Sequence, residues 1–162
     1  MINVLFVCMG NICRSPMAEA VFRHQVQAAG LSDRIAVESA GTGGWHAGES
    51  AHSGTLRVLA AHDIPHDGRA RQITWDDFSR FDYLLVMDRE NLSAVNRVAK
   101  GLADHKVKTR IGLFLSYAKE AGLVKTDEVS DPYIHGRYDD TYALITTGVD
   151  AFLMYLRKAH HL

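Results

Sequence analysis

The sequence predicts an α/β domain, an open sheet of about four parallel strands with helices on both faces. Three observations predict it. Short apolar runs alternate with stretches of helical spacing, the pattern of strands joined by crossover helices. The two strongest runs, residues 2–7 and 81–87, are apolar almost without interruption, as strands buried on both faces are. The 162 residues contain no repeat, low-complexity tract or linker, so 1–162 reads as one domain, long enough to bury its own core.

Residues 2–7 form the first strand, which ends at Cys8 and Gly10. A helix follows over 16–29: Ser15 suits its cap, Pro16 its first turn, and Gly30 its close. Residues 34–40 give a second strand, leading into the glycine-rich stretch Gly41, Thr42, Gly43, Gly44 and Trp45. Residues 53–62 have helical spacing. The third strand is 81–87, and Asp88 caps a helix running to about Val98. A weaker strand is expected over 105–110, and no period emerges from there to Val129. Residues 138–159 form a long helix with Tyr142, Ile145, Val149, Phe152, Leu153 and Leu156 in one apolar stripe. Gly148 sits inside it.

Composition removes several classes of function. Lys plus Arg number 18 against 19 Asp plus Glu, a formal net charge of -1. That balance offers no general attraction to nucleic acid or to an acidic membrane surface. No apolar run approaches the ~20 residues of a membrane span, and the start of the chain lacks a basic leader, so a cytoplasmic location is expected. Cys8 and Cys13 are the only cysteines. Two thiols build neither a disulfide framework nor a four-thiolate zinc site.

Between the first strand and the first helix stand Cys8, Met9, Gly10, Asn11, Ile12, Cys13, Arg14, Ser15 and Pro16. They lie beyond the carboxyl end of the strand, where open sheets bind ligands. A short loop curled before a helix points several N–H groups at one centre, and the helix dipole adds about half a positive charge there. Gly10 is expected to supply the φ freedom of a tight cradle. Arg14 adds a planar fork for two phosphate oxygens. The same surroundings favour a thiolate at Cys8. Ser15 either donates a hydrogen bond to that sulfur or caps the helix. Free cysteines are often small buried hydrophobes. The C-x5-R-S-P arrangement favours instead a nucleophile facing a bound anion.

The run VCMGNICRSPMAE at 7–19 closely resembles the signature of the low-molecular-weight protein tyrosine phosphatases. The resemblance continues through Ser39-Ala40-Gly41-Thr42, Ala70-Arg71-Gln72-Ile73, Phe81-Asp82-Tyr83 and Met87-Asp88. It ends in Asp131-Pro132-Tyr133, covering most of the chain in the family's order. It implies a four-stranded parallel sheet and a two-step hydrolysis of phosphotyrosine or small aryl phosphates, with no metal or other cofactor. Cys8 matches the nucleophile that forms a phosphocysteine, Arg14 the phosphate-binding residue, and Asp131 the general acid that later serves as base. Met9, Gly10, Asn11, Ile12, Cys13 and Ser15 match the phosphate-binding loop, and Trp45 and Tyr133 the facing aromatic walls of the pocket. Asn11 and His62 resemble braces of the loop, and Asp88 a structural cap. The implied partner is a phosphotyrosine-containing protein; weak self-association, known in some relatives, is a further expectation.

The sequence departs from the family pattern at Ile134, where many members carry a second tyrosine, and continues with His135, Gly136 and Arg137. Cys13 is five residues from Cys8, close enough in a curled loop for a disulfide, which needs Cα atoms within ~7 Å. Peroxide would make a sulfenic acid of Cys8 that Cys13 captures. An arsenate reductase of this fold relays oxidation through cysteines in the second half of the chain, and there are none. An arginine phosphatase resembles this loop but carries Thr where Ile12 stands; an apolar Ile12 suits a flat aromatic better than a guanidinium. A phosphopeptide-binding module or a redox switch are the non-hydrolytic alternatives.

Overall fold

The first apolar run becomes the middle of the sheet in the computed structural model, which describes residues 1–162. β1 (Ile2–Cys8) pairs in parallel with β2 (Ile35–Gly41) on one side and with β3 (Tyr83–Val86) on the other. β4 (Arg110–Leu113) extends the sheet beyond β3, giving the order β2-β1-β3-β4. A central strand meets packing on both faces, so Val4, Leu5, Phe6 and Val7 are all fully buried. Alternation along β1 sends Val4 and Phe6 into the larger core and Leu5 and Val7 into the smaller one.

The helices are α1 (Arg14–Ala28), α2 (Ser53–Ala61), α3 (Asp77–Arg80), α4 (Arg89–Lys100), α5 (Ser116–Glu120), α6 (Pro132–His135) and α7 (Tyr138–His160). α1 and α7 pack together over the larger core, while Phe78 of α3 and Val95 of α4 belong to the smaller one. Phe6 meets Phe22 and Phe114 edge-on at 5.6 and 5.1 Å. Gly148 explains its place in α7: a Cβ there would stand 2.7 Å from the Phe114 ring. α1 ends as the sequence predicts. Gly30 takes a left-handed φ of 68°, and the N–H groups of Gly30 and Leu31 return to the carbonyls of Gln27 and Val26. No helix is long and apolar enough to cross a membrane.

Three expectations are corrected. α1 begins at Arg14 rather than Pro16, and its N-cap position is Cys13, so Ser15 lies inside the helix and is not the cap. The fourth strand is Arg110–Leu113 instead of 105–110; Asp104–Lys106 form a 3-10 turn. The N–H groups of Lys108 and Thr109 are taken by the Phe78 carbonyl, and only from Arg110 does the chain lie alongside β3. α3, α5 and α6 were not foreseen, because four or five residues are too few to show a helical period.

β1 lies between β2, which it reaches through α1, and β3. The crevice above the carboxyl ends of β1 and β3 is therefore the topological switch point. The segment after β1 carries Cys8 to Arg14, and the segment after β3 carries Asp88.

Candidate active site

The loop after β1 is held from below by one side chain. Asn11 has φ 57°, in the left-handed region that asparagine tolerates, whereas Gly10 does not. Gly10 serves a different purpose: a Cβ there would lie 3.0 Å from the His46 ring. The Asn11 amide donates to Ser15 Oγ at 2.8 Å and to Ser39 Oγ at 2.9 Å, and its Oδ1 accepts from the Arg71 N–H at 2.9 Å. Gly41 lets the loop lie against β2, since a Cβ there would stand 2.7 Å from the Met9 carbonyl oxygen. The N–H groups of Thr42 and Gly43 bond the carbonyls of Cys8 and Met9.

Cys8 sits at the end of β1, its Sγ 3.0 Å from Ser15 Oγ. Ser15 Oγ accepts from the Asn11 amide, and its one hydroxyl proton has two acceptors within reach, the Cys8 sulfur at 3.0 Å and the Ala40 carbonyl at 3.4 Å. Arg14 is buried, its side chain 4% exposed. Its Nη1 donates to Asp88 Oδ2 at 2.6 Å and to the Val129 carbonyl at 2.8 Å, and its Nη2 is 3.8 Å from Asp131 Oδ2. Burial opposes the guanidinium charge, but Cys8, Asp88 and Asp131 outweigh it and hold the Arg14 pKa above the ordinary arginine value. Asp88 also caps α4 through the Asn91 N–H at 2.8 Å. Asp131 caps the single turn of α6, accepting from the Tyr133 N–H at 3.0 Å, with Pro132 at the first helical position.

These elements enclose a cavity of about 130 Å³ lined by Cys8, Met9, Gly10, Ile12, Cys13, Arg14, His46, Asp131 and Tyr133. Two thiols, one guanidinium and one carboxylate thus share a small chamber whose walls are partly apolar. No three His, Cys, Asp or Glu side chains stand close enough together to hold a metal ion.

Two site residues fall elsewhere than expected. Trp45 does not line the cavity: its ring lies over Gly43, where even a Cβ would collide with it, and it stays 72% exposed. His46, paired with Glu49, takes the wall position. His62 does not brace the loop. It is the exposed residue that ends α2 and stacks on Tyr142 at 4.0 Å, and Ser39 and the Arg71 backbone hold Asn11 instead. Sequence reading also missed Tyr138, whose hydroxyl is 3.4 Å from Cys13 Sγ. No spacing links residues 125 apart. Burial pushes the Cys13 thiol up to about 11, the Tyr138 hydrogen bond only partly opposing it.

A family model for low molecular weight phosphotyrosine protein phosphatases matches residues 3–162. The chain belongs to that family. Among the phosphatases it resembles, the low molecular weight protein-tyrosine-phosphatase YfkJ of Bacillus subtilis is 41% identical over 163 residues, all of both chains. The low molecular weight phosphotyrosine protein phosphatase of Schizosaccharomyces pombe is 43% identical over 155 residues, 94% of this chain and 95% of its own. The crystal structure of YfkJ superposes with a TM-score of 0.89, covering 98% of this chain and 96% of that one. The crystal structure of DARP, a Drosophila arginine phosphatase, shares the fold at 32% identity with a TM-score of 0.87, over 95% and 97% of the two chains. The matched region contains every residue that lines the cavity.

Proposed function

We propose that this phosphatase hydrolyses phosphotyrosine in proteins, and small aryl phosphates, through a phosphocysteine on Cys8. The observation that carries this reading is that Cys8 and Arg14 of one loop and Asp131, far along the chain, open onto one cavity. In the first step the Cys8 thiolate attacks phosphorus, the S–P bond forms, and the P–O bond to tyrosine breaks. Asp131 gives its proton to the departing phenolate. The backbone N–H groups of the loop and the Arg14 fork hold the phosphoryl oxygens as charge builds on them. In the second step water attacks phosphorus, Asp131 takes the water's proton, and the thiolate leaves toward the Ser15 hydroxyl. Uncatalysed phosphate-monoester hydrolysis is among the slowest reactions known, so covalent catalysis, charge stabilisation and proton transfer must share the barrier.

The DARP likeness keeps phosphoarginine as a second reading. The apolar wall at Ile12 favours an aromatic leaving group over a guanidinium, which wants a hydrogen-bond acceptor. Assay of the purified chain on phosphotyrosine peptide and phosphoarginine side by side separates the two. The reading requires turnover of phosphotyrosine, phosphate trapped on Cys8 in rapidly denatured enzyme, and a dead Cys8→Ser. Preference for phosphoarginine, or turnover that survives Cys8→Ser, would overturn it.

Cys13 lines the same cavity, which supports a protective role. Peroxide oxidises the Cys8 thiolate to a sulfenic acid, and Cys13 then displaces water from it to close a disulfide that a thiol reductant reopens.

A further inference from the structure

His52 lies outside the cavity wall, yet it joins the segments that build it. Its backbone N–H donates to the Ile12 carbonyl at 2.7 Å, fastening the phosphate loop. Its Nδ1 accepts from the Gly54 N–H at 3.0 Å and caps α2. A backbone N–H only donates, so in the neutral ring the proton sits on Nε2. The ring stacks on Tyr138, with centroids 5.2 Å apart and planes within 7°. The same ring meets Tyr133 edge-on, at 5.7 Å and 81°. Gly54 makes the stacking possible, since a Cβ there would stand 2.6 Å from the Tyr138 ring. Tyr133 itself is 64% exposed and belongs to a helix of one turn, too short to fix a ring by itself.

We propose that His52 is a positioning residue for the substrate's aromatic group. It holds the Tyr133 ring at the mouth of the cavity, so that this ring meets the aryl part of phosphotyrosine while the loop holds the phosphoryl group. The inference rests on the phosphotyrosine reading of the site. It assigns His52 a share of aryl recognition and none of phosphate recognition.

Two variants separate the ring from the cap. His52→Asn keeps a side-chain acceptor for the Gly54 N–H and the backbone bond to Ile12, but deletes the ring. His52→Phe keeps a ring and loses the cap. For each, kcat and KM on phosphotyrosine are measured together with the inhibition constant of inorganic phosphate. In His52→Asn, KM is expected to rise about threefold to tenfold, with kcat within about twofold and phosphate inhibition unchanged. His52→Phe should return KM most of the way to wild type despite its missing cap.

A wild-type KM in His52→Asn overturns the inference. So does a parallel rise in KM and in the phosphate constant, which would place the effect in the loop. A wild type that binds phosphate but turns over no phosphotyrosine refutes the functional reading by itself. Dissociation constants of phenyl phosphate on the same three proteins then judge His52 by the same criterion.

Discussion

Ser15 Oγ stands 3.0 Å from the Cys8 sulfur and 3.4 Å from the Ala40 carbonyl, its oxygen already engaged by the Asn11 amide. In the proposed reaction this hydroxyl would turn to the sulfur when Cys8 carries charge, before attack and again as the S–P bond breaks. A hydrogen bond to a charged group contributes about 1.5–3 kcal/mol. Ser15→Ala is therefore expected to lower kcat by about tenfold to a hundredfold, with a smaller change in KM. Steady-state kinetics on phosphotyrosine check it; an unchanged kcat would show that the sulfur does not use this donor.

Asp88 has two tasks that substitution separates. It caps α4 and it receives Nη1 of Arg14. Asp88→Asn retains a capping oxygen but removes the charge that orients Arg14, so activity should fall while the melting temperature moves little. Asp88→Ala should lose activity and, in addition, about 1 kcal/mol of stability from the missing cap. Thermal melts and kinetics on the two variants distinguish the roles.

Asp131 is proposed to protonate the leaving phenolate, and the benefit of that proton grows with the basicity of the leaving group. Asp131→Asn is expected to reduce kcat/KM for phenyl phosphate by about a hundredfold or more, and for nitrophenyl phosphate by much less. Equal losses on both esters would mean that Asp131 acts only by shaping the loop.

Burial keeps Cys13 a neutral thiol, with its pKa raised to about 11. Only the thiolate attacks a sulfenic acid efficiently, and its fraction grows about tenfold per pH unit until that value is reached. After brief peroxide exposure, disulfide closure should therefore be slow near neutrality and faster by about tenfold at one unit higher pH. Cys13→Ser should recover less activity on reduction than wild type. Mass spectrometry of blocked thiols follows the closure directly.

Gly148→Ala sets two effects against each other. Alanine gains about 1 kcal/mol in a helix interior, but the added Cβ would press on the Phe114 ring at 2.7 Å, and overpacking costs about 1–3 kcal/mol. The second effect should win, because the ring cannot move aside freely, with a net loss of up to about 2 kcal/mol read from denaturant unfolding.

Much of this architecture was legible because the informative segments are long or locally patterned. β1 is an apolar run broken only by Asn3, α7 keeps one stripe along its 23 residues, and Gly30 closes α1 as its position suggests. β4 is different. Its limits come from hydrogen bonds to β3 and to the Phe78 carbonyl, which no local spacing encodes. The loop from Cys8 to Arg14 could be read because its parts are contiguous. Trp45 and His46 are neighbours in sequence, and only packing over Gly43 decided which one faces the chamber. His62 was the expected brace of the loop beside Asn11, and the register of β2 beside β1 brings Ser39 to Asn11 instead.

Cys8, the proposed nucleophile, ends a strand hydrogen-bonded on both edges, whereas Tyr133 and its neighbour Ile134, 83% exposed, ride on a single helical turn. Local opening costs least where few buried contacts resist it. On the proposed reading, substitutions at those two positions should therefore change which proteins are accepted while the geometry around Cys8 and Arg14 is kept.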